Sequence, residues 1–296
     1  MLLDSRETKS VGRWIRWVHA GGMTSQFTFD EHLSVSRLGF GAMRLTGYGR
    51  KPPAEHASAL AVARRAAALG ITFIDTADSY GVGANEELLA EALWPYEGLT
   101  IATKAGQSRP SAGEWVPLGR PEYLRQQAEL SLRRLRVERI ELFQLHRIDP
   151  KVPLADQIGA LLQLREEGKI ARIGLSEVTV EQLVAAREIA PIASVQNLYN
   201  YSDRRSDDVL NYCERENIAF IPWLPIANGA HATSDGPLAK LAADLGATPA
   251  QISLAWLLHR SPVVIPIPGT SSLTHLEENA AATHLSLTPA HLATLA

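Results

Sequence analysis

Short apolar runs rich in β-branched residues recur along the chain, and each is followed by a longer stretch with apolar residues at helical spacing. Eight runs are predicted as strands, at residues 38–41, 72–75, 100–103, 140–145, 170–175, 193–196, 219–222 and 263–267. The helices between them are predicted at residues 54–69, 85–93, 121–135, 154–167, 180–189, 206–216, 238–245 and 249–258, with a last one from about residue 275. Gly70 and Gly168 stand where helices end, and Pro121 and Pro249 suit first turns.

This alternation predicts an α/β fold in which eight parallel strands with helical crossovers close into a (β/α)8 TIM barrel. Closure removes the exposed edges of an open sheet. The alternative is a doubly wound open sheet, but no Gly-x-Gly-x-x-Gly turn follows the first strand. We also predict a short N-terminal strand hairpin and extra C-terminal helices, with residues 1–22 as a flexible N-terminal extension and residues 23–296 as the barrel domain.

Composition indicates which binding partners and which cellular compartment to expect. With 296 residues, 46% of them hydrophobic, the chain can bury a large core, and a net charge of −3 predicts no general attraction to nucleic acid or to anionic membranes. No segment approaches the roughly 20 apolar residues that would span a bilayer, and residues 1–22 lack the apolar run of a secretory signal. Cys213 is the only cysteine, so no intrachain disulfide can form, and we expect a cytoplasmic protein.

Four polar residues follow or end predicted strands two, three and four, where barrel enzymes place their chemistry. They are Asp75, Tyr80, Lys104 and His146. Each alone has an ordinary structural explanation, such as a loop cap, a packed ring or a satisfied core histidine. Their joint occurrence at adjacent strand ends favours a catalytic site.

The four residue types suit the reduction of a carbonyl group, which needs a proton donor for the oxygen. Tyr80 could donate that proton, and a Lys104 ammonium beside it would favour the phenolate and ease proton release. Asp75 could hold Lys104 in place, while His146 could hydrogen-bond the carbonyl oxygen. A different enzyme class remains open, a barrel aldolase in which Lys104 forms a Schiff base.

Six segments together resemble the aldo-keto reductase family: FIDTADSYG, TIATKAG, LFQLHRID, ARIGLSEV, VQNLYN and IPGTSSLTHLEEN. The resemblance covers roughly residues 27–296. It implies a (β/α)8 barrel, a catalytic tetrad of Asp75, Tyr80, Lys104 and His146, and reduction of a small aldehyde or ketone with NADPH.

The resemblance also implies a set of cofactor-binding residues. Ser176 and Gln196 would hydrogen-bond the nicotinamide carboxamide, Trp223 would stack on the ring, and hydroxyl groups ahead of a helix N-terminus would hold the 2′-phosphate. The implied set is Gly41, Ala42, Met43, Asp75, Ser176, Gln196, Trp223, Leu224, Pro225, Ile226, Thr270, Ser271, His275, Glu278 and Asn279. The last segment could instead serve only as a helix cap, for which Thr274 and Glu277 have the spacing of a capping box.

Two departures from the family pattern bear on the cofactor. Glu177 stands where the family often has Asn, and a carboxylate can accept a hydrogen bond from the carboxamide but cannot donate one. Gly269 and His275 stand where many members carry a basic residue that selects for the extra phosphate. NADPH is therefore the first expectation, with NADH or dual use as the alternative.

The C-terminal half is similar to a bacterial-type branch that includes pyridoxal reductases, which implies an aromatic aldehyde substrate. Barrels of the family also occur as auxiliary subunits of membrane channels, so a cofactor-sensing partner protein is the non-enzyme alternative. The loops at residues 107–118 and 228–236, the oligomeric state and the direction of the reaction are not predicted.

Overall fold

The computed structural model describes residues 25–47, 53–233 and 235–295. Its strands are β1 (Gln26–Asp30), β2 (Leu33–Ser36), β3 (Phe40–Gly41), β4 (Phe73–Asp75), β5 (Thr100–Ala105), β6 (Gln107–Ser108), β7 (Val116–Pro117), β8 (Leu142–Leu145), β9 (Ile173–Ser176), β10 (Ile192–Gln196) and β11 (Ala219–Phe220). Its helices are α1 (Pro53–Ala68), α2 (Ala84–Leu93), α3 (Pro121–Leu135), α4 (Leu154–Glu166), α5 (Val180–Arg187), α6 (Asp207–Arg215), α7 (Pro237–Leu245), α8 (Pro249–Arg260), α9 (Leu273–Ala281) and α10 (Pro289–Thr294). The predicted extension, residues 1–22, lies outside the described residues.

Seven parallel strands form the central sheet, in the order β11-β10-β9-β8-β5-β4-β3. Residues 263–268 lie between its two edge strands. On one side Phe220 pairs in parallel with Val264, and on the other the Gly39 N–H donates to the Pro266 carbonyl at 2.9 Å. The curled sheet and this eighth segment are consistent with a (β/α)8 barrel and do not fit an open, doubly wound sheet.

The predicted eighth strand, residues 263–267, is an extended segment rather than a regular strand. Pro266 and Pro268 have no backbone N–H, so they can accept hydrogen bonds from β3 but cannot donate any to a neighbouring strand. The Gly41 N–H donates to the Pro268 carbonyl at 3.4 Å. The position of the eighth element was predicted correctly, but the regular strand predicted there is not observed.

Helix ends follow local chemistry that is visible in the sequence. Gly70 and Gly168 adopt left-handed backbone at φ 81° and 76°, directly after helical segments, because glycine meets no steric penalty there. The capping-box prediction for Thr274 is wrong. α9 begins two residues earlier, and the Ser272 hydroxyl accepts a hydrogen bond from the His275 N–H at 3.4 Å.

The core lies between the parallel strands and the helices that cover them. Strand residues such as Phe143 and Val195 are fully buried, as are Leu161 and Leu164 on the apolar face of α4. Each such side chain contributes roughly 1.5–3 kcal/mol when it leaves water. Two small antiparallel pairs, β1 with β2 and β6 with β7, lie outside the parallel sheet.

Within the described residues, no helix combines the length and the apolar character needed to cross a membrane.

Candidate active site

The structure brings the four predicted residues together at the carboxyl ends of β4, β5 and β8. Lys104 is fully buried, and its Nζ donates to Asp75 Oδ2 at 2.7 Å and to the Thr76 carbonyl at 2.7 Å. The same ammonium donates to the Tyr80 hydroxyl at 3.4 Å and lies 4.9 Å from the ring centroid. Asp75, Lys104 and Tyr80 therefore form one continuous polar chain in a water-poor environment.

Asp75 is fixed from its other side by two amide groups. Its Oδ1 accepts from Gln196 Nε2 at 2.8 Å and from Gln144 Nε2 at 3.2 Å, and the residue is only 2% exposed. Gln144 has room beside Gly174, since a Cβ on that glycine would lie 2.8 Å from Gln144 Cγ. Because both carboxylate oxygens accept hydrogen bonds, the side chain of Asp75 is held in one orientation beside Lys104.

The neighbouring carboxylate keeps Lys104 protonated despite the burial of its ammonium group. Burial acts to lower the pKa of Lys104, but the charge of Asp75 and the hydrogen bond to its carboxylate act in the opposite direction, and the net shift is upward. An amine held as an ammonium is a poor nucleophile, and this one does not line the cavity described below. The geometry therefore does not favour the Schiff-base alternative.

The tyrosine differs from the expectation drawn from the sequence. Burial raises the pKa of Tyr80 above its ordinary value, and the nearby Lys104 charge opposes that rise without cancelling it. The hydroxyl thus retains its proton, whereas the sequence argument considered only the attraction of the ammonium. The physical reason is that burying a phenolate away from water costs more than the attraction of the Lys104 ammonium returns.

His146 is held as a neutral ring beside Tyr80. Burial lowers the pKa of His146 well below its ordinary value, and the charges of Lys104 and Arg147 lower it further. Its Nδ1 lies 3.3 Å from the Ser79 hydroxyl, and its ring meets Tyr80 edge-on at 5.8 Å between centroids. A neutral imidazole can donate one hydrogen bond to a substrate oxygen without competing for its proton.

A cavity of about 950 Å³ runs from these groups to the N-terminus of α9. Tyr80 and His146 line one end, and Thr270 and Asn279 line the other. The other predicted cofactor residues that also line it are Gly41, Met43, Asp75, Ser176, Gln196, Trp223, Leu224, Pro225, Ile226, Ser271, His275 and Glu278.

One predicted cofactor residue lies elsewhere. Ala42 is fully buried and is not among the residues that line the cavity, and its carbonyl accepts a hydrogen bond from Asn85 Nδ2 at 2.9 Å. The sequence pattern could not separate Ala42 from its neighbours, because a single turn after β3 turns one side chain inward and the next outward.

The middle of the cavity suits a flat, extended ligand. A Cβ at Gly41 would lie 2.8 Å from the Ile267 carbonyl oxygen, and one at Gly269 would lie 2.7 Å from the Gly41 carbonyl oxygen. Only glycine lets these two backbones pass so closely. The half-buried Trp223 ring also lines this part of the cavity.

Trp115 and Arg147 are among the lining residues that were not predicted from the sequence. Trp115, in the β6–β7 hairpin, meets both the Tyr80 ring and the His146 ring edge-on, at 6.3 and 6.2 Å between centroids. Arg147 directly follows His146 and donates to the Ser176 hydroxyl oxygen at 3.0 Å. The position of Arg147 beside a strand-end histidine was a usable signal, whereas nothing in the sequence of the loop indicated where Trp115 would lie.

A second buried polar cluster lies behind the site. Glu86 is fully buried and accepts hydrogen bonds from Thr103 at 2.5 Å and from Arg134 Nε at 2.6 Å. Asp78 nearby accepts a hydrogen bond from the Tyr123 hydroxyl at 3.5 Å. Burial, followed by the like charge of Glu86, raises the pKa of Asp78 to about 8.

Comparison with known proteins shows the family to which the chain is similar. The family model for the Aldo/keto reductase family matches residues 37–296. The chain is 50% identical to an uncharacterized oxidoreductase of Schizosaccharomyces pombe over 254 residues, 86% of this chain and 83% of that protein. It is 41% identical to pyridoxine 4-dehydrogenase of Escherichia coli over 270 residues, 88% of this chain and 94% of that protein.

A solved structure is similar over most of both chains. The aldo/keto reductase of Klebsiella pneumoniae in complex with NADP and acetate superposes with a TM-score of 0.78 at 28% identity, covering 92% of this chain and 94% of that one.

Proposed function

Because this chain belongs to the aldo/keto reductase family of NAD(P)H-dependent oxidoreductases, we propose that it reduces small aldehydes or ketones to alcohols with NADPH, and that Tyr80 donates the proton. The observation that carries the proposal is the buried chain from Asp75 through Lys104 to the Tyr80 hydroxyl, beside a cavity of about 950 Å³ that is also lined by residues at the start of α9.

Each polar group has one task in this proposal. Tyr80 stays protonated until a carbonyl oxygen gains negative charge, and then donates its proton to that oxygen. Lys104 stabilises the phenolate that remains, and Asp75 holds the ammonium in place. His146, as a neutral ring, donates a hydrogen bond that orients the carbonyl oxygen. The bound cofactor would supply the hydride to the carbonyl carbon.

The residues along the cavity fit a nicotinamide dinucleotide. Gln196 uses its amide hydrogen on Asp75, which leaves its carbonyl oxygen to accept from the carboxamide. Ser176 accepts from Arg147, which leaves its own hydroxyl hydrogen to donate. Trp223 would stack on the ring, and Thr270 and Ser271 would contact the phosphate at the start of α9.

NADPH is the cofactor we propose, with NADH or dual use as the alternative. The related structure from Klebsiella pneumoniae holds NADP. In this chain His275 is exposed at the phosphate end of the cavity. An exposed imidazole selects weakly for an extra phosphate, so the preference is expected to be modest.

A pyridoxal-like aromatic aldehyde is the substrate we propose to test first. One relative is named pyridoxine 4-dehydrogenase, and pyridoxine is the alcohol that corresponds to pyridoxal. The edges of Tyr80, His146 and Trp115 form an aromatic wall around the place where the carbonyl would lie. Flat aromatic substrates gain contact area against such a wall.

The proposal includes the wider organisation of the chain. We place residues 23–296 in one closed (β/α)8 barrel, with the β1–β2 hairpin and the last helices as additions. A cytoplasmic location suits the buried, unpaired Cys213.

The first test compares wild type with Tyr80→Phe. The variant should lose about 10²- to 10⁴-fold in turnover of pyridoxal or nitrobenzaldehyde with NADPH, while NADPH binding measured by fluorescence titration stays within about two-fold. Tyr96→Phe is the matched control, since that hydroxyl donates to the Leu135 carbonyl outside the cavity.

Near-normal turnover of Tyr80→Phe would contradict the assigned proton donor. Tight NADPH binding without turnover of any aldehyde, together with stable capture of another protein, would favour the partner-protein alternative.

A further inference from the structure

Glu177 occupies an unusual position at the end of β9. Its backbone is left-handed at φ 55°, a region that L side chains other than Asn and Asp adopt uncommonly. Its N–H donates to the Gln196 carbonyl at 3.0 Å, which fixes this conformation against β10. A glutamate held in such a turn needs side-chain contacts that outweigh the backbone cost.

Those contacts are made by one carboxylate oxygen. Glu177 Oε1 accepts from the Trp223 indole N–H at 2.6 Å and from the Leu198 backbone N–H at 2.6 Å. Leu198 and Trp223 also pair as a parallel bridge between the ends of neighbouring strands. The carboxylate therefore ties together the segments that follow β9, β10 and β11, and it fixes the indole from its polar edge.

The Trp223 backbone is held independently of that side-chain bond. Its N–H donates to the Asn197 carbonyl at 3.2 Å, so the main chain stays in place if the carboxylate is altered. Loss of the indole hydrogen bond would then free rotation about the side-chain torsions alone. This separation lets one variant change the charge and another change the hydrogen bond.

We propose that Glu177 is a positioning residue that orients the Trp223 ring against the nicotinamide, and that its negative charge favours the oxidised, cationic ring over the reduced, neutral one. This inference rests on the proposed function, because it requires the nicotinamide to stack on Trp223.

The electrostatic argument has two parts. A carboxylate that accepts from an indole N–H makes the π face of the indole more negative, and a more negative face attracts a cation more strongly. The carboxylate also acts on the cationic ring directly through space. Arg147 is the opposing charge, since the Glu177 charge acts to raise its pKa against the lowering effect of burial.

The test measures equilibrium binding of NADP⁺ and NADPH separately by fluorescence titration. In Glu177→Gln the amide oxygen still accepts from the indole, so the ring stays in place but the charge is lost. We expect the dissociation constant for NADP⁺ to rise about five-fold, the size expected for loss of one partly solvated charge near the ring, while that for NADPH changes by less than about two-fold.

Two further variants separate charge from position. Glu177→Asn suits the left-handed backbone and also removes the charge. It should therefore raise the ratio of the NADP⁺ dissociation constant to the NADPH dissociation constant. This variant keeps the test available if Glu177→Gln folds poorly. Trp223→Phe keeps a ring but removes the N–H, and it should weaken binding of both forms. Glu181→Gln, an exposed carboxylate in the first turn of α5, is the charge control and should leave the ratio unchanged.

The outcomes are distinguishable. If wild type binds both cofactor forms and neither the glutamine nor the asparagine variant changes the ratio, the inference is wrong while the proposed function stands. If wild type binds neither form, the proposed function fails and the inference falls with it.

Discussion

The two ends of the cavity are built in opposite ways. At the reactive end, Lys104 and Asp75 are 0% and 2% exposed, and each makes several hydrogen bonds to residues in or after neighbouring strands. At the α9 end, Ser271 and His275 are exposed, and the Ser272 side chain caps the helix N-terminus. The contrast predicts that removing a charge has a large effect at the reactive end, and that adding a charge has a small effect at the α9 end.

Burial explains the difference in physical terms. A charge inside the barrel interacts strongly and must be paired, whereas a charge at the surface is screened by water and salt. Changes at the reactive end should therefore affect turnover and stability together, while changes at the α9 end should shift cofactor preference by small factors.

Lys104→Met should give the largest effect. Removing the ammonium leaves the buried Asp75 carboxylate without its ionic partner, so we expect destabilisation of roughly 3–5 kcal/mol in chemical unfolding. Turnover should fall by about 10²- to 10⁴-fold, since the Tyr80 phenolate loses its stabilising charge. Lys169→Met, which removes a surface ammonium paired with Glu167, is the control and should leave turnover unchanged. Normal turnover of Lys104→Met would show that the reactive end is not more sensitive to loss of a charge than the α9 end.

Asp78→Asn should change the pH dependence of stability. The carboxyl titrates near 3.8 when unfolded and has a pKa of about 8 when folded, so the folded state binds the extra proton between these values. Its stabilising contribution is complete below about pH 4 and is lost as the pH rises through about 8.

The asparagine side chain does not ionise in this pH range, so the variant does not lose stability as an ionised Asp78 would. Its stability relative to wild type should therefore increase by on the order of 4 kcal/mol between about pH 5 and about pH 9, as measured by urea unfolding. Asp156→Asn, an exposed carboxyl at the start of α4, should show no such trend. A constant difference between Asp78→Asn and wild type across this range would show that Asp78 is not protonated in the folded protein.

His275→Arg should give the smallest effect. A permanent charge at the α9 end should raise the preference for NADPH over NADH by about two- to five-fold at low salt, and added salt should reduce the gain because the position is exposed. His284→Arg adds the same charge away from the cavity and serves as the control. A large, salt-insensitive gain would mean that the α9 end is more enclosed than its exposure indicates.

Much of the fold could be predicted because its signals are local. The α3 boundaries follow from Pro121 at the first position and an apolar stripe that ends at Leu135. The eighth strand was placed correctly in the chain, but Pro266 and Pro268 cannot donate to a ladder, and its regularity was over-predicted. The strands β3 and β11 are shorter than predicted for a related reason, since their ends lie beside segments that are not regular strands.

The candidate site also contains residues that were predicted from the sequence and residues that were missed. The four polar residues were found because strand ends mark one rim of a barrel, and neighbouring strands bring them together. Trp115 was missed because its loop has no periodicity that could indicate where its ring lies. The Tyr80 pKa was expected to fall because the sequence shows the neighbouring charge but not the depth of burial.

The sequence by itself determined the order of strands and helices and the glycine and proline positions that end them, because these depend on contacts between near neighbours in the chain. It also placed the four polar residues at or after strand ends. Only the tertiary structure decided that Gln144 and Gln196 share one oxygen of Asp75, and that Glu177 holds Trp223. These contacts join residues far apart in sequence, and their strength depends on how completely the closed packing excludes water.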